Sequence, residues 1–113
     1  IIANNLNTRF SENKVATANC DNSTYQCTVI YLDGTSETFT VTRQGVVING
    51  VNINMPDDVT IDTSSIKVEA FGPDSTLTGT TNDNSYIKVS FTSQSSKLTQ
   101  NIDFNYIYTY NQF

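Results

Sequence analysis

Thr28-Val29-Ile30-Tyr31-Leu32-Asp33-Gly34-Thr35-Ser36-Glu37-Thr38-Phe39-Thr40-Val41-Thr42 decides how the chain is read. Its opening residues are mostly β-branched or aromatic, and the run stops at Asp33-Gly34, a strong hairpin signal. From Glu37 to Thr42 polar and apolar residues alternate, the period of a strand with one buried face. Gln44-Gly45 then turns into Val46-Val47-Ile48, and Asn49-Gly50 turns again into Val51-Asn52-Ile53. Four short strands joined by three tight turns predict a β-meander.

Toward the C-terminus the β pattern continues. Met55-Pro56-Asp57-Asp58 interrupts it before Val59-Thr60-Ile61. Ile66 to Phe71 alternates and ends at Gly72-Pro73, and a polar loop runs from Gly79 to Ser85. Tyr86 to Phe91 places Ile87, Val89 and Phe91 on one face. Ser93 to Ser96 turns into a last strand from about Leu98 to Tyr110. No repeat or second-domain boundary interrupts the 113 residues, a length that suits one domain.

Toward the N-terminus the period changes. Ile2, Leu6 and Phe10 fall at i, i+4 and i+8, a narrow apolar stripe along about three helical turns. Asn4, Asn5 and Asn7 are poor helix formers, so a helix over 1–14 needs a surface to lie on. Residues 15–27 read as a polar loop carrying Cys20 and Cys27, with six residues between them. In a reducing compartment these are two separate thiols; in an oxidising one they close a short loop, and a disulfide is expected. The expected fold is α+β and mostly β: one helix, then seven or so strands, with the helix across the concave face of the sheet.

Composition narrows the function. Six basic residues stand against eleven acidic ones, a net charge of −5, which argues against nucleic acid and anionic lipid as partners. There is no histidine, hence no Ser-His-Asp or Cys-His arrangement and no His-bearing zinc site. Two cysteines cannot build a four-thiolate site. Neither catalysis nor a cofactor is expected. The sequence has no apolar run long enough to span a membrane. It begins at Ile1, directly in the predicted helix, as a mature or trimmed fragment would.

Several residues are candidates for binding. Tyr106, Tyr108 and Tyr110 share a strand face with Ile102 and Phe104. They form either an aromatic ladder for a sugar, partner or substrate, or the inner face of a core strand. Ile102 and Phe104 are expected in the core, with an exposed tip beyond them. Asp57, Asp58 and Asp62, or Asp83 between Asn82 and Asn84, could offer oxygens to calcium, but neither segment has an alternating Asp-x-Asp loop. Turn formation explains them, and no metal site is assigned. Asn22-Ser23-Thr24 fits a glycosylation pattern that arises often by chance. Lys67 and Lys88 are expected to keep an exposed sheet face soluble, and Arg9 and Lys14 are too few for a DNA-receptor surface.

Helix first, cysteines second and β-meander third resembles the soluble part of type IV pilins and type II secretion pseudopilins, closest to minor pilins and H-type pseudopilins. Arg9-Phe10-Ser11-Glu12 and Val15-Ala16-Thr17-Ala18-Asn19-Cys20 resemble that family's helix end and its Val-Thr-Leu-Cys-like strand. Met55-Pro56-Asp57-Asp58-Val59-Thr60-Ile61 looks like its proline-led approach to a strand, and Ile66 to Pro73 like the segment that follows. The apolar first half of the family's helix is missing, no late glycine-rich turn is evident, and the second cysteine sits earlier than in a pilin C-terminal disulfide.

The resemblance implies one pilin-like domain over 1–113: assembly helix over 1–14, disulfide loop over 15–27 and β region over 28–113. It implies a filament subunit whose partners are other pilin or pseudopilin subunits, assembled through the N-terminal helix, with Ile2, Leu6 and Phe10 on an exposed, partly apolar stripe. Contact with membrane would be made only by the missing helix segment, before assembly at the cell surface or in the periplasm. A soluble fragment is expected to be monomeric. The competing expectation is an extracellular adhesin or carbohydrate-binding β-sandwich, with two packed sheets and a platform at Tyr106 to Tyr110.

Overall fold

A computed structural model describes residues 2–71 and 85–110. The turn expected at Gly72-Pro73, the 79–85 loop up to residue 84, and Asn82-Asp83-Asn84 lie outside the described residues. Helix α1 spans Ile2–Asn13. Nine strands follow: β1 Val15–Asp21, β2 Gln26–Tyr31, β3 Ser36–Val41, β4 Gly45–Ile48, β5 Val51–Asn54, β6 Val59–Ile61, β7 Lys67–Phe71, β8 Ser85–Ser95 and β9 Gln100–Tyr110. A short 3-10 turn at Thr63–Ser65 links β6 to β7. The expectation of one helix and a mainly antiparallel β structure holds at that level.

The single sheet expected from the sequence is two. β1 to β5 form one antiparallel meander in chain order. In the second sheet β8 is central, with β9 on one side and β6 and β7 end to end on the other. Met55 to Asp58 carries the chain across: Val59 N–H donates to Pro56 O at 2.8 Å, and Ile61 N–H donates to Arg43 O at 2.8 Å. β1 lies against β7, so the two sheets meet along that line.

Residues 15–27 are a hairpin rather than a loop. β1 pairs with β2, and Cys20 stands directly opposite Cys27 with the Cα atoms 4.0 Å apart and the sulfurs bonded. The sequence hid the first strand because Ala, Asn and Cys carry little β signal. Its burial nevertheless alternates: Val15, Thr17 and Ala18 go inward, with a register shift between Val15 and Thr17 absorbing the irregularity. The turn is fixed by Asp21, whose Oδ1 accepts from both Ser23 N–H and Ser23 Oγ.

The glycine turns divide into different kinds. Asn49 and Gly50 both have positive φ, 49° and 80°, as a two-residue hairpin turn of the right twist requires. Asp33-Gly34 is longer: Gly34 N–H donates to Tyr31 O, Tyr31 N–H donates to Thr35 O, and only Gly34 turns left-handed. At Gly45 the constraint is contact as well as dihedral. Its φ is 155°, and a Cβ there would stand 2.2 Å from Ile53 O on the neighbouring strand.

One core joins the helix and both sheets. It takes Ile2, Leu6 and Phe10 from α1, Val29, Phe39, Val41, Val46 and Ile48 from the first sheet, and Ile61, Val68, Ile87, Val89 and Phe91 from the second. Each such side chain contributes about 1.5–3 kcal/mol by leaving water.

Two outcomes follow. Gly45→Ala lowers stability by about 2 kcal/mol or more in urea unfolding, because backbone must shift, whereas Gly50→Ala, which meets open space, costs about 1 kcal/mol of left-handed strain. Reduction of Cys20–Cys27 lowers stability by about 2.5 kcal/mol on the chain-entropy account of so short a loop, measured by the same unfolding with and without reductant.

Candidate functional site

The helix and the tyrosine strand, two separate candidates in the sequence, are partners of one another. α1 is marginal alone at 12 residues with three asparagines, and a surface makes it possible. Ile2, Leu6 and Phe10 are 4%, 1% and 2% exposed, while Asn4, Asn7, Thr8, Ser11 and Glu12 face outward. The Phe10 ring lies 5.4 Å from that of Tyr108 on β9 and 6.1 Å from that of Phe39 on β3. Tyr106 Oη donates to Asn7 Oδ1 at 3.2 Å, and Tyr108 Oη donates to Phe10 O at 3.3 Å. The second bond helps satisfy a carbonyl at the helix end, where Lys14 in a left-handed conformation (φ 61°) donates its N–H to the same oxygen.

This geometry revises two expectations. The apolar stripe, expected to be exposed, is closed inside the domain, where Ile2, Leu6 and Phe10 hold the helix to its own sheets. Of the two readings left open for the tyrosine face, the structure shows the inner one: Tyr106 and Tyr110 are buried and Tyr108 is half-buried, stacked on Tyr110 at 6.2 Å. The order along β9 is the reverse of that expected, since Ile102 is 45% exposed and Phe104 half-buried while the later tyrosines are inside. The reason is the helix, which covers the strand at Tyr106 and Tyr108.

A polar hub missed by the sequence sits at the flank of this contact. Glu37 on β3 accepts from Arg9 Nη1 at 2.6 Å, from Tyr31 Oη and from Asn49 Nδ2 at 2.9 Å. It thus ties α1 to β2, β3 and the β4–β5 turn. Only the alternation of the strand, which turns Glu37 to the same side as Phe39, hinted at its place. Burial chiefly, and then the hydrogen bond to the Glu37 carboxylate, pushes the Tyr31 hydroxyl pKa up; burial does the same for Tyr106.

The remaining candidates are accounted for locally. Asp58 Oδ2 accepts from Ser95 Oγ at 2.8 Å, and Asp62 Oδ1 accepts from Ser64 N–H and Oγ, capping the 3-10 turn. Among the described residues no three His, Cys, Asp or Glu gather as a metal site. Asn22 has its Oδ1 taken by Val68 N–H at 2.8 Å, which pins the hairpin tip to β7. Lys67 is exposed, and Lys88 is half-buried in register between Glu69 and Ile107. On that outward face Phe71 and Tyr86 stack at 5.7 Å, and Tyr86 Oη donates to Glu69 at 2.6 Å. Among the described residues no helix is long and apolar enough to cross a membrane.

A titration tests the buried hydroxyls. Raised folded-state pKa values mean that both tyrosines add full stability below the unfolded value of about 10 and lose it as pH rises past that point, because the unfolded chain ionises first. Unfolding free energy measured between about pH 8 and 12 is expected to fall on the alkaline side, and Tyr106→Phe to flatten that fall. At neutral pH the same variant costs about 1 kcal/mol through the lost bond to Asn7.

No protein-family model matches this chain, no curated protein matches it, and no solved structure matches it.

Proposed function

We propose that this domain is a non-catalytic structural subunit of a bacterial filament, a minor pilin of a type IV pilus or a pseudopilin of type II secretion. The observation that supports this most is the docking of α1: a helix weak by itself is clamped along antiparallel strands by Phe10, Tyr106 and Tyr108, so that force on its N-terminal end reaches the whole domain. The cystine hairpin follows at once, as the resemblance implies. Sister subunits are the partners, met through the polar outer face of the helix at Asn4, Thr8, Ser11 and Glu12 and through lateral contacts between domains. The setting is the cell surface or periplasm, with membrane contact made only by an apolar helix segment upstream. Glu37, Asp58 and Asp62 are occupied by structural hydrogen bonds, which favours a geometric role over a chemical one.

The competing adhesin reading loses its tyrosine platform to the interior. What favours it is the division into two sheets around one core, which that reading expects, and the outward Phe71–Tyr86 stack beside Glu69 and Lys88.

A chimera tests the filament reading. The chain is joined behind the apolar helix half of a pilin in a cultured pilus system, and sheared filaments are probed for it. Incorporation is expected, and Glu12→Arg with Thr8→Arg on the outer helix face should reduce it several-fold with the thermal midpoint of the isolated domain unchanged. A folded chimera that stays in the membrane fraction, while a control pilin chimera enters filaments, overturns the proposal.

A further inference from the structure

The sheet edges differ in how they are protected. β5 and β6 are four and three residues long. β1 lies against β7, carries a register shift, and the β7 edge has its Val68 N–H taken by Asn22. β9 is unlike these. It runs eleven residues, pairs among the described residues only with β8, and keeps register without a break from Ser85↔Tyr110 to Ser95↔Gln100. It has no proline, lysine or bulge, and its single charge is Asp103. An edge of this kind offers a row of backbone N–H and C=O groups to a further strand.

We propose that this edge takes a second copy of the same chain, β9 against β9, antiparallel about a twofold axis at Asn105. The strand's own sequence suits this partner and register. With Asn105 facing Asn105, Phe104 of each copy faces Tyr106 of the other and Ile102 faces Tyr108, all on the inner face. Ile102 is 45% exposed and Phe104 half-buried in one copy, so the second copy covers apolar surface that the first leaves open. On the outer face Asp103 meets Ile107, which is 54% exposed, and Asn101 meets Thr109. Charge disfavours one alternative alignment. About Asn105 the two Asp103 carboxylates are offset by four residues, about 13 Å along the strands, past the screening length of about 8 Å. An axis at Asp103 would set them face to face, which is repulsive. The contact joins the two second sheets into one continuous sheet, and being twofold it closes on itself.

This inference rests on the β9 edge and not on the filament reading, and it departs from the monomer which that reading expects. Asn105→Cys is expected to give a disulfide-linked dimer under mild oxidation, because the two residues face each other across the axis. Ile107→Cys is expected to give none, since its copies stand about 13 Å apart, too far for a bridge. Sedimentation of the unaltered chain should show dimer, and Asn105→Lys, on the exposed face where folding is retained, should weaken it about tenfold or more. A wild-type chain that sediments as monomer at every concentration, equal cross-linking at 105 and 107, or a ladder of higher oligomers overturns the proposal.

Discussion

The fold depends on Phe10. Its ring meets the first sheet at Phe39 and the second at Tyr108, so it joins the helix to both. Without that contact α1 has little reason to exist, since three asparagines and twelve residues do not sustain a helix in water. Without α1, the inner face of β9 loses its cover at Tyr106 and Tyr108, and their hydroxyls lose Asn7 and the Phe10 carbonyl. The helix and the strand at the far end of the chain are each other's condition, although some ninety-eight residues separate the bonded pair.

Polar groups then fix what the apolar contact leaves loose. A greasy stripe tolerates sliding and rotation; the Arg9–Glu37 pair does not. Glu37 is mostly buried and gathers three donors from three elements, so its charge is well compensated and the register of the helix against β3 is set. Asn22 does the same at the other seam by answering the free amide of Val68, which holds the cystine hairpin to the second sheet. Two side chains of modest size thereby join elements that share no ladder.

Much of this was legible in the sequence, for reasons that can be named. The i, i+4, i+8 stripe and the alternating runs from Thr28 to Ile53 announced helix and meander, because periodicity reports which face is buried. β1 was not legible in its residue types, since Val-Ala-Thr-Ala-Asn-Cys-Asp lacks aromatic and mostly lacks β-branched residues, and its strand character comes from pairing with β2. Division into two sheets was not legible either: nothing in Met55 to Asp58 says whether a turn continues a sheet or leaves it. The tyrosine face was read with two outcomes open, and its actual burial depended on where the helix comes to rest, a long-range fact. The Glu37 hub was invisible because its donors lie on three segments remote from one another in the chain.

The unbroken β8–β9 ribbon has a mechanical side. Eleven residue pairs, about 3.4 Å from one to the next, make a bar of about 34 Å, most of the molecule's 46 Å length. Asn7 meets Tyr106 and Phe10 meets Tyr108, so the helix runs alongside β9 in the same sense. A pull along the helix axis therefore acts parallel to the bar and is shared among all its rungs in shear, rather than peeling them one after another from an end.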